Sequence, residues 1–242
     1  MYKEYSHFHT PEDETIVWRY LDFEKFVDLI TIKKLFLCRS DKFADPFEGV
    51  LKLKDTNQSE IEINLLTKKF YFVNCWHIND AQSDAMWKIF LKTNNGIAIK
   101  STVKRIKNSL ENTQENIHIS KINYRDFSRT TFFDLMKEPQ NIWPNSNGRG
   151  GSVNQYNYKR KSFEHEKELR LIFIDLPIPH AIINGIPREP LEDKIIDIDL
   201  TKLIEEVVIA PFADKWFKSL VERLIKQLNL DFKVLESNLY NL

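Results

Sequence analysis

Short runs of bulky apolar residues recur along the chain and predict a series of β-strands. The runs are rich in β-branched and aromatic residues, and several alternate apolar with polar positions, as strands with one buried face do. The predicted strands are TIVWRYLD, LFLCRS, KFYFVNCWH, GIAIKST, IHISKINY, the end of KSFEHEKELRLIFID, EEVVIAPFA and the terminal FKVLESNL.

Between these strands, apolar residues recur at helical spacing, which predicts amphipathic helices. The predicted helices are FEKFVDLITIKK, NDAQSDAMWKIFLKT, VKRIKNSLEN, TTFFDLMKE, DKWFKSLVERLIKQLNL and a less periodic stretch around EIEINLLTKK. Asp22 is predicted to cap the first of them, and Asp80 or Ser83 the second. Strands and helices mix without strict βαβ alternation, so the pattern predicts an α+β fold with a mixed β-sheet flanked by helices.

The same pattern predicts the domain organisation. Residues 1–15 are predicted to be a polar N-terminal lead-in, and residues 16–242 a single α+β domain, because no linker divides the chain. Residues 138–158 are rich in Asn, Gly and Pro and predict a flexible loop. Loops of this length usually serve as lids or binding loops, or are disordered.

Charge and cysteine content narrow the classes of partner. The 35 Lys and Arg residues balance 35 Asp and Glu residues, so the whole chain has no bulk attraction for nucleic acid or membrane. Cys38 and Cys75 lie in apolar runs and are predicted to be reduced core thiols. No cysteine or histidine spacing is typical of a metal site, so no metal is expected. No apolar run reaches the length of a membrane span, so we expect no membrane partner and a cytoplasmic location.

Two candidate sites follow the first two predicted strands. Arg19 and Tyr20 end the first strand, where an arginine can fork two hydrogen bonds to a phosphate or carboxylate, or form a structural salt bridge. The second strand leads into a loop that carries Arg39, Ser40, Asp45 and, in the word DPFEG, Glu48. Such loops often hold sites, but the word fits a self-capped turn equally well.

Aromatic residues around the third predicted strand form another candidate. Trp76 and Trp87 are the right residue type to stack on a planar ring, although core packing also suits Trp87. His77 is the best placed histidine for acid–base chemistry.

The last candidate is the charged segment around Lys161. In an extended backbone Glu164, Glu166, Glu168 and Arg170 all project from one face, next to the predicted flexible loop. This stripe is interpreted as either the rim of a pocket or a solvated strand face.

Five words in a fixed order, taken together, resemble the bacterial domain-of-unknown-function family 2971 over residues 16–236. They are VWRYLDFEKFVDLI, LFLCRSDKFADPFEG, CWHINDAQSDAMWKIF, NNGIAIKST and KSFEHEKELR. This resemblance supports the fold and the position of the site, and it implies no reaction.

The chain also shows a distant similarity to ADP-ribosyltransferases, which hold NAD with an Arg or His on an early strand. Many of them end an active-site strand with Glu-x-Glu, whose last glutamate stabilises the oxocarbenium-like ribose. The resemblance implies that Arg19 holds NAD, that Glu164 and Glu166, or Glu166 and Glu168, form the pair, and that Tyr20 or Trp87 sandwiches a ring. This sequence has Cys38-Arg39-Ser40 where those enzymes usually have Ser-Thr-Ser or an aromatic residue.

Three hypotheses follow. The first is an ADP-ribosyltransferase-like enzyme with NAD as substrate, a toxin or phage-defence effector that modifies nucleic acid or protein through catalytic Arg19, Glu166 and Glu168. The second is a metal-dependent nuclease built on four carboxylates: Asp45, Glu48, Glu166 and Glu168. The third is a non-enzymatic module that binds an anion or a partner protein through Arg19, Arg39 and Arg170. All three require that the polar side chains converge, which the structure can test.

Overall fold

The structure is a computed structural model that describes residues 1–5, 7–142, 152–176 and 189–240. The strands are β1 (Ile16–Asp22), β2 (Lys34–Arg39), β3 (Tyr71–Ile78), β4 (Gly96–Thr102), β5 (Ile117–Lys121), β6 (Asn123–Arg125), β7 (Tyr158–Arg160), β8 (Glu168–Ile174), β9 (Lys194–Asp197), β10 (Glu206–Ile209) and β11 (Lys233–Glu236). The helices are α1 (Phe23–Ile32), α2 (Gln58–Thr67), α3 (Asp84–Phe90), α4 (Val103–Ser109), α5 (Phe132–Met136), α6 (Leu200–Leu203) and α7 (Phe217–Gln227).

Nine of the strands described form one mixed sheet, which confirms the predicted α+β fold. The order along the main path is β11-β10-β4-β1-β3-β2-β9, and β8 joins β3 to β5. Most neighbours are antiparallel, whereas β10 and β11 run parallel. A small parallel sheet of β6 and β7 lies apart from it.

The sheet forks along one edge of β3. Towards its C-terminal end β3 pairs with β1, where Trp18 lies opposite His77. Towards its N-terminal end it pairs instead with β2, where Cys38 lies opposite Val73. The opposite edge of β3 is paired with β8 over its length. A gap therefore opens between β1 and β2 beside the middle of β3.

Apolar packing on both faces fixes this sheet. On one face α1 and α7 bury residues such as Phe26, Ile30 and Val221 in the main core. On the other face α3 packs Met86 and Trp87 against Trp18 and Tyr20 of β1. The apolar stripes predicted from helical spacing are thus the buried faces of these helices.

Two local predictions need correction. Asp22 is the N-cap residue of α1, as predicted, but its side chain makes no capping hydrogen bond. Its carboxylate instead accepts a hydrogen bond from the Lys92 amide at 2.9 Å. Ser83, by contrast, does cap α3 through the Met86 amide. The charged stripe is also not extended, because Lys161–Glu166 is a 3-10 helix.

A left-handed residue ends that 3-10 helix, since Lys167 has φ 40°. Glu164 is consequently exposed and does not share a strand face with Glu168. Part of the loop predicted at 138–158 lies outside the described residues, and its described parts contain the 3-10 helices Pro139–Asn141 and Gln155–Asn157.

Candidate functional site

A cleft of about 320 Å³ occupies the gap between β1 and β2. Its floor is the middle of β3, and its walls come from β1, β2, α3 and the segment that precedes β8. The side chains that line it are Trp18, Arg19, Tyr20, Leu21, Lys25, Phe36, Cys38, Phe43, Val73, Asn74, Cys75, Trp76, His77, Met86, Phe90, Glu166 and Glu168.

Asn74 links the floor of the cleft to the β2 wall. Its side-chain amide donates a hydrogen bond to the Phe36 carbonyl at 2.8 Å, and its carbonyl oxygen accepts one from the Trp76 indole at 2.8 Å. In an antiparallel sheet the main-chain groups of successive residues point to opposite edges. The Ile78 amide bonds to the β8 side, so the amide and carbonyl of Cys75 point into the gap, where neither β1 nor β2 pairs with them.

Two cations line the cleft, Arg19 and Lys25. Lys25 lies 3.9 Å from Asp22, whereas Arg19 has no hydrogen bond or ion pair within the part of the chain described. Its guanidinium carbon lies 6.0 Å from the centre of the Trp76 ring, a long cation–π distance. Burial without a carboxylate partner lowers the pKa of Arg19 to about 10, so it remains charged at neutral pH. An unpaired, half-buried guanidinium is a ready site for an anion.

A second cavity of about 320 Å³ lies next to the cleft. The two share Arg19, Leu21, Lys25 and Phe36 as lining residues. Two acidic side chains of α1, Glu24 and Asp28, line only the second cavity. Arg19 therefore lies at the junction of two spaces that together suit an elongated ligand.

Aromatic side chains make the cleft walls flat and apolar. Trp18, Tyr20 and Trp76 are buried in the wall, and Phe90 adds a more exposed ring. The Tyr20 hydroxyl accepts a hydrogen bond from the Ser83 amide at 2.8 Å, and burial raises the pKa of Tyr20 to about 12. Such walls suit a planar ring.

Two carboxylates, those of Glu166 and Glu168, also line the cleft. They belong to an ion cluster, defined as Glu48, Lys159, Glu166, Glu168 and Arg170. Within it the Arg170 guanidinium lies 2.6 Å from Glu48 and 2.8 Å from Glu168. The Lys159 ammonium lies 2.6 Å from Glu166, 3.5 Å from Glu168 and 3.6 Å from Glu48.

The ion cluster carries more negative than positive charge. Three glutamates against one lysine and one arginine leave a net charge of −1. Its members are largely buried, with side-chain exposures from 1% for Arg170 to 16% for Glu166. In such an environment the excess charge is poorly screened by solvent.

Burial and ion pairing act on the two glutamates differently. Burial pushes the pKa of Glu168 upward, but the attraction of Arg170 and Lys159 outweighs it and lowers that pKa to about 2. The Cys75 thiol also donates a hydrogen bond to Glu168. For Glu166 burial prevails over the attraction of Lys159, and its pKa is raised. Glu168 is therefore a permanent anion, while Glu166 is the more basic carboxylate.

His77 lies at the end of the cleft beside these carboxylates. Its Nδ1 is 2.6 Å from the Glu166 carbonyl oxygen, so this nitrogen carries the proton and donates. Its Nε2 is buried and without a hydrogen-bond partner among the described residues. Burial lowers the pKa of His77, which keeps the ring neutral.

Glu48 reaches the ion cluster because of the turn around it. Asp45 accepts hydrogen bonds from the Phe47 amide at 3.0 Å and from Arg160 at 2.8 Å, which closes the turn. Gly49 follows with φ 68°, a left-handed conformation that favours glycine. Asp45 thus forms the predicted self-capped turn, and Glu48 joins the ion cluster. A functional role for DPFEG stays a prediction.

The structure brings only some of the predicted site residues together. Arg19, Tyr20, Trp76, His77, Glu166 and Glu168 line the cleft, and Glu48 and Arg170 lie behind it in the ion cluster. The roles of these residues stay predictions.

The other predicted residues lie apart from the cleft. Arg39 pairs with Asp41 at 2.7 Å, and Ser40 is buried with its hydroxyl bonded to the Lys68 carbonyl. Lys161 is exposed, and Trp87 packs edge-on beneath Tyr20 at 4.9 Å between ring centres. Asp45 pairs with Arg160 outside the lining.

Sequence reasoning missed several lining and supporting residues. Lys159 is the central cation of the ion cluster, yet only its neighbour Lys161 was predicted as a site residue. Asn74 and the thiols of Cys38 and Cys75 also line the cleft. The run Lys159-Arg160-Lys161 was the available signal, but nothing local shows which member turns inward.

This geometry gives less support to the other two hypotheses, the metal-dependent nuclease and the non-enzymatic binding module. Glu48, Glu166 and Glu168 are occupied by Arg170 and Lys159, and the described residues contain no group of three metal-ligating side chains placed to hold an ion. Arg39 and Arg170 do not join Arg19 in the cleft.

Among the residues with described structure, no helix is long and apolar enough to span a membrane.

Comparison with known proteins gives one family and two structures. A family model described as "Protein of unknown function (DUF2971)" matches residues 86–171, which confirms the resemblance over that segment. Thermus sp. 2.9 DarT in complex with NAD+ aligns with 10% identity and a TM-score of 0.40, over 94% of this chain and 98% of that chain. Thermus sp. 2.9 DarT in complex with carba-NAD+ aligns with 7% identity and a TM-score of 0.39, over 93% and 96%. No curated protein matches the chain.

Proposed function

We propose that the protein is an ADP-ribosyltransferase-like enzyme that uses NAD as its substrate and transfers ADP-ribose to a macromolecule. The observation that carries this proposal is the polarity of the cleft. Arg19, which has no partner among the described residues, and two glutamates of an ion cluster of net charge −1 line the same aromatic-walled space. The charges of NAD are complementary to those of the cleft. Its anionic diphosphate matches Arg19, and its cationic nicotinamide ring matches the ion cluster.

The cleft also supports binding of the nicotinamide group. The aromatic walls suit stacking of the ring. The main-chain amide and carbonyl of Cys75, which neither β1 nor β2 pairs, offer one donor and one acceptor on the floor. A carboxamide presents the complementary pair, so the nicotinamide amide can continue the interrupted ladder.

The second cavity accounts for the other half of the dinucleotide. With the diphosphate at Arg19, the nicotinamide ribose lies in the cleft and the adenosine extends into the second cavity. Each cavity alone, at about 320 Å³, lies at the lower end of the range for small-ligand pockets. The two together suit a dinucleotide better than a mononucleotide.

The transfer reaction requires the protein to orient the reactants and to stabilise the positive charge that develops. The bond between ribose C1′ and the nicotinamide nitrogen breaks, and its electron pair leaves with nicotinamide, which becomes neutral. Positive charge grows on C1′ and its ring oxygen, where Glu166, Glu168 and the excess charge of the ion cluster stabilise it. An acceptor nucleophile then forms a bond to C1′ and loses its proton.

Labelled NAD tests this proposal. The full chain is incubated with NAD labelled in its adenylate half and a bacterial lysate, and both free nicotinamide and macromolecular label are measured. Nuclease and protease digestion then show whether the acceptor is nucleic acid or protein. Glu166→Gln removes the more exposed carboxylate of the cleft at nearly constant size. Glu164→Gln is the matched control, because Glu164 is exposed and does not line the cleft.

We expect label transfer by the wild type and by Glu164→Gln. Glu166→Gln should transfer label about a hundredfold more slowly, the usual scale for one lost stabilising group. If the protein is a toxin or phage-defence effector, its expression should arrest bacterial growth with the same dependence on Glu166. The proposal is wrong if the wild type releases no nicotinamide and labels no fraction of the lysate.

A further inference from the structure

The excess negative charge of the ion cluster depends on Glu48, a residue that does not line the cleft. We propose that Glu48 is a positioning residue that makes the cleft selective for an oxidised, cationic nicotinamide over the reduced, neutral ring. This role rests on the proposed function, because it concerns the ring of the same dinucleotide. It assigns the DPFEG loop a part in ligand discrimination.

The contacts of Glu48 identify it as the residue that balances the cations. Its side chain is 2% exposed, and it is absent from the lining of the cleft. It contacts Arg170 at 2.6 Å and Lys159 at 3.6 Å, the same two cations that contact Glu168. Each cation is thereby shared between a carboxylate behind the cleft and a carboxylate that faces it.

Removal of this one carboxylate would abolish the excess negative charge of the ion cluster. With Glu48 the ion cluster has a net charge of −1, and without it Glu166 and Glu168 are matched by Lys159 and Arg170. The two glutamates in the cleft would then be locally neutralised. Glu48 therefore leaves the cleft-facing glutamates with excess negative charge.

The neighbouring groups do not supply that charge. Burial raises the pKa of the Cys75 thiol and lowers the pKa of His77, so both are neutral at pH 7. Asp45 and Arg160 cancel each other in a pair at 2.8 Å. These groups therefore add no negative charge to that of the ion cluster.

NAD and NADH are a matched pair of probes for this charge, because they differ in the ring alone. The wild type should bind NAD more tightly than NADH. The ratio of the two dissociation constants, measured by calorimetry at pH 8, is the readout. If the role of Glu48 were merely structural, its loss would weaken the binding of both ligands equally and leave the ratio of dissociation constants unchanged.

Three variants test the role by charge count. Glu48→Gln should reduce the ratio about tenfold, the scale of one charge at short range in a poorly screened site. Lys159→Met should raise the ratio, since it leaves a net charge of −2. The double variant Glu48→Gln/Lys159→Met restores −1 and should recover the wild-type preference. Asp41→Asn is the control, because Asp41 pairs with Arg39 away from the cleft.

The outcomes separate this role from the proposed function. A wild type that binds neither dinucleotide overturns both. A wild type that prefers NAD, with the same ratio in Glu48→Gln, overturns the role of Glu48 alone. If Glu48→Gln does not fold, Lys159→Met and the double variant still decide, and a ratio that does not follow net charge contradicts the inference.

Discussion

Arg19 differs from the other arginines of the site region, because it has no counter-ion among the residues that the structure describes. Arg160 pairs with Asp45, and Arg170 is held between Glu48 and Glu168. A half-buried guanidinium without a partner is costly for the folded chain, since burial alone lowers its pKa to about 10. Such a cost is typical of sites where a ligand supplies the missing charge.

The lowered pKa of Glu168 predicts how the stability of the protein depends on pH. Its folded pKa of about 2 is below its ordinary value because of Arg170 and Lys159, despite burial. A lowered folded pKa contributes stability that is complete above the unfolded pKa and is lost as pH falls towards the folded one. We therefore expect the free energy of unfolding to fall between pH 5 and pH 2, by roughly 3 kcal/mol from this group.

Urea unfolding at several pH values isolates this contribution. Glu168→Gln should be less stable than the wild type at pH 6, and the two should converge as pH falls towards 2. Other carboxylates titrate in both proteins, so the difference between them reports Glu168. A difference that does not depend on pH would show that ion pairing does not lower the pKa of Glu168.

Some site residues could be predicted from sequence. Arg19, Tyr20, Trp76 and His77 were chosen as residues near the ends of predicted strands, and all line the cleft. That ground is wrong for Arg19 and Tyr20, because β1 continues to Asp22 and both residues lie within it. Sequence could not show that Lys159 turns inward, since its partners lie more than a hundred positions away in one case, at Glu48. Alternation of strand faces does not fix which face a site will use.

At the scale of elements, the fork in the sheet makes the site. Because β3 pairs with β1 at one end and β2 at the other, its middle keeps main-chain groups free. Asn74 bridges to the Phe36 carbonyl and leaves the remaining gap open. Unpaired strand edges are usually covered in folded proteins, so an open one inside a cleft suits ligand binding.

The geometry of the DPFEG turn makes it sensitive to substitution at Gly49. Gly49 has φ 68°, and a Cβ there would lie 2.5 Å from the Tyr156 hydroxyl oxygen. The Tyr156 ring is stacked on Tyr71 at 4.1 Å and cannot easily move. Gly49→Ala should lower the free energy of unfolding by about 2–4 kcal/mol, from backbone strain and overpacking together.

Gly96→Ala is the control for that prediction. A Cβ at Gly96 would also make a close contact, but with the flexible end of the Leu91 side chain, and no left-handed φ is required there. We expect a smaller loss in urea unfolding than for Gly49→Ala. Equal stability of Gly49→Ala and the wild type would contradict the structure of the turn.

Most elements could be predicted from apolar periodicity, but the charged segment before β8 could not. KSFEHE alternates as a strand would, yet it forms a 3-10 helix that ends at left-handed Lys167. The Ile78 amide stabilises this arrangement by donating a hydrogen bond to the Lys167 carbonyl at 2.8 Å. That contact lies far away in sequence, so tertiary structure overrides the local pattern here.

At the scale of the whole molecule, charge is separated although the total is zero. The chain has a formal net charge of +0, so no overall field draws in a ligand. Within the cleft, however, Arg19 and two glutamates of the ion cluster place opposite charges in one small space. Sequence showed the balance of charges, and only the fold shows where they are kept apart.

The central claim is that this separated charge binds NAD through Arg19. Calorimetric titration of the full chain with NAD, in the wild type and in Arg19→Gln, tests it most directly. Arg39→Gln is the matched control, because Arg39 is ion-paired outside the cleft. We expect binding by the wild type and by Arg39→Gln, and affinity at least about tenfold lower in Arg19→Gln, without loss of folding stability. Equal NAD affinity in Arg19→Gln and the wild type, or no binding by the wild type, would contradict the account.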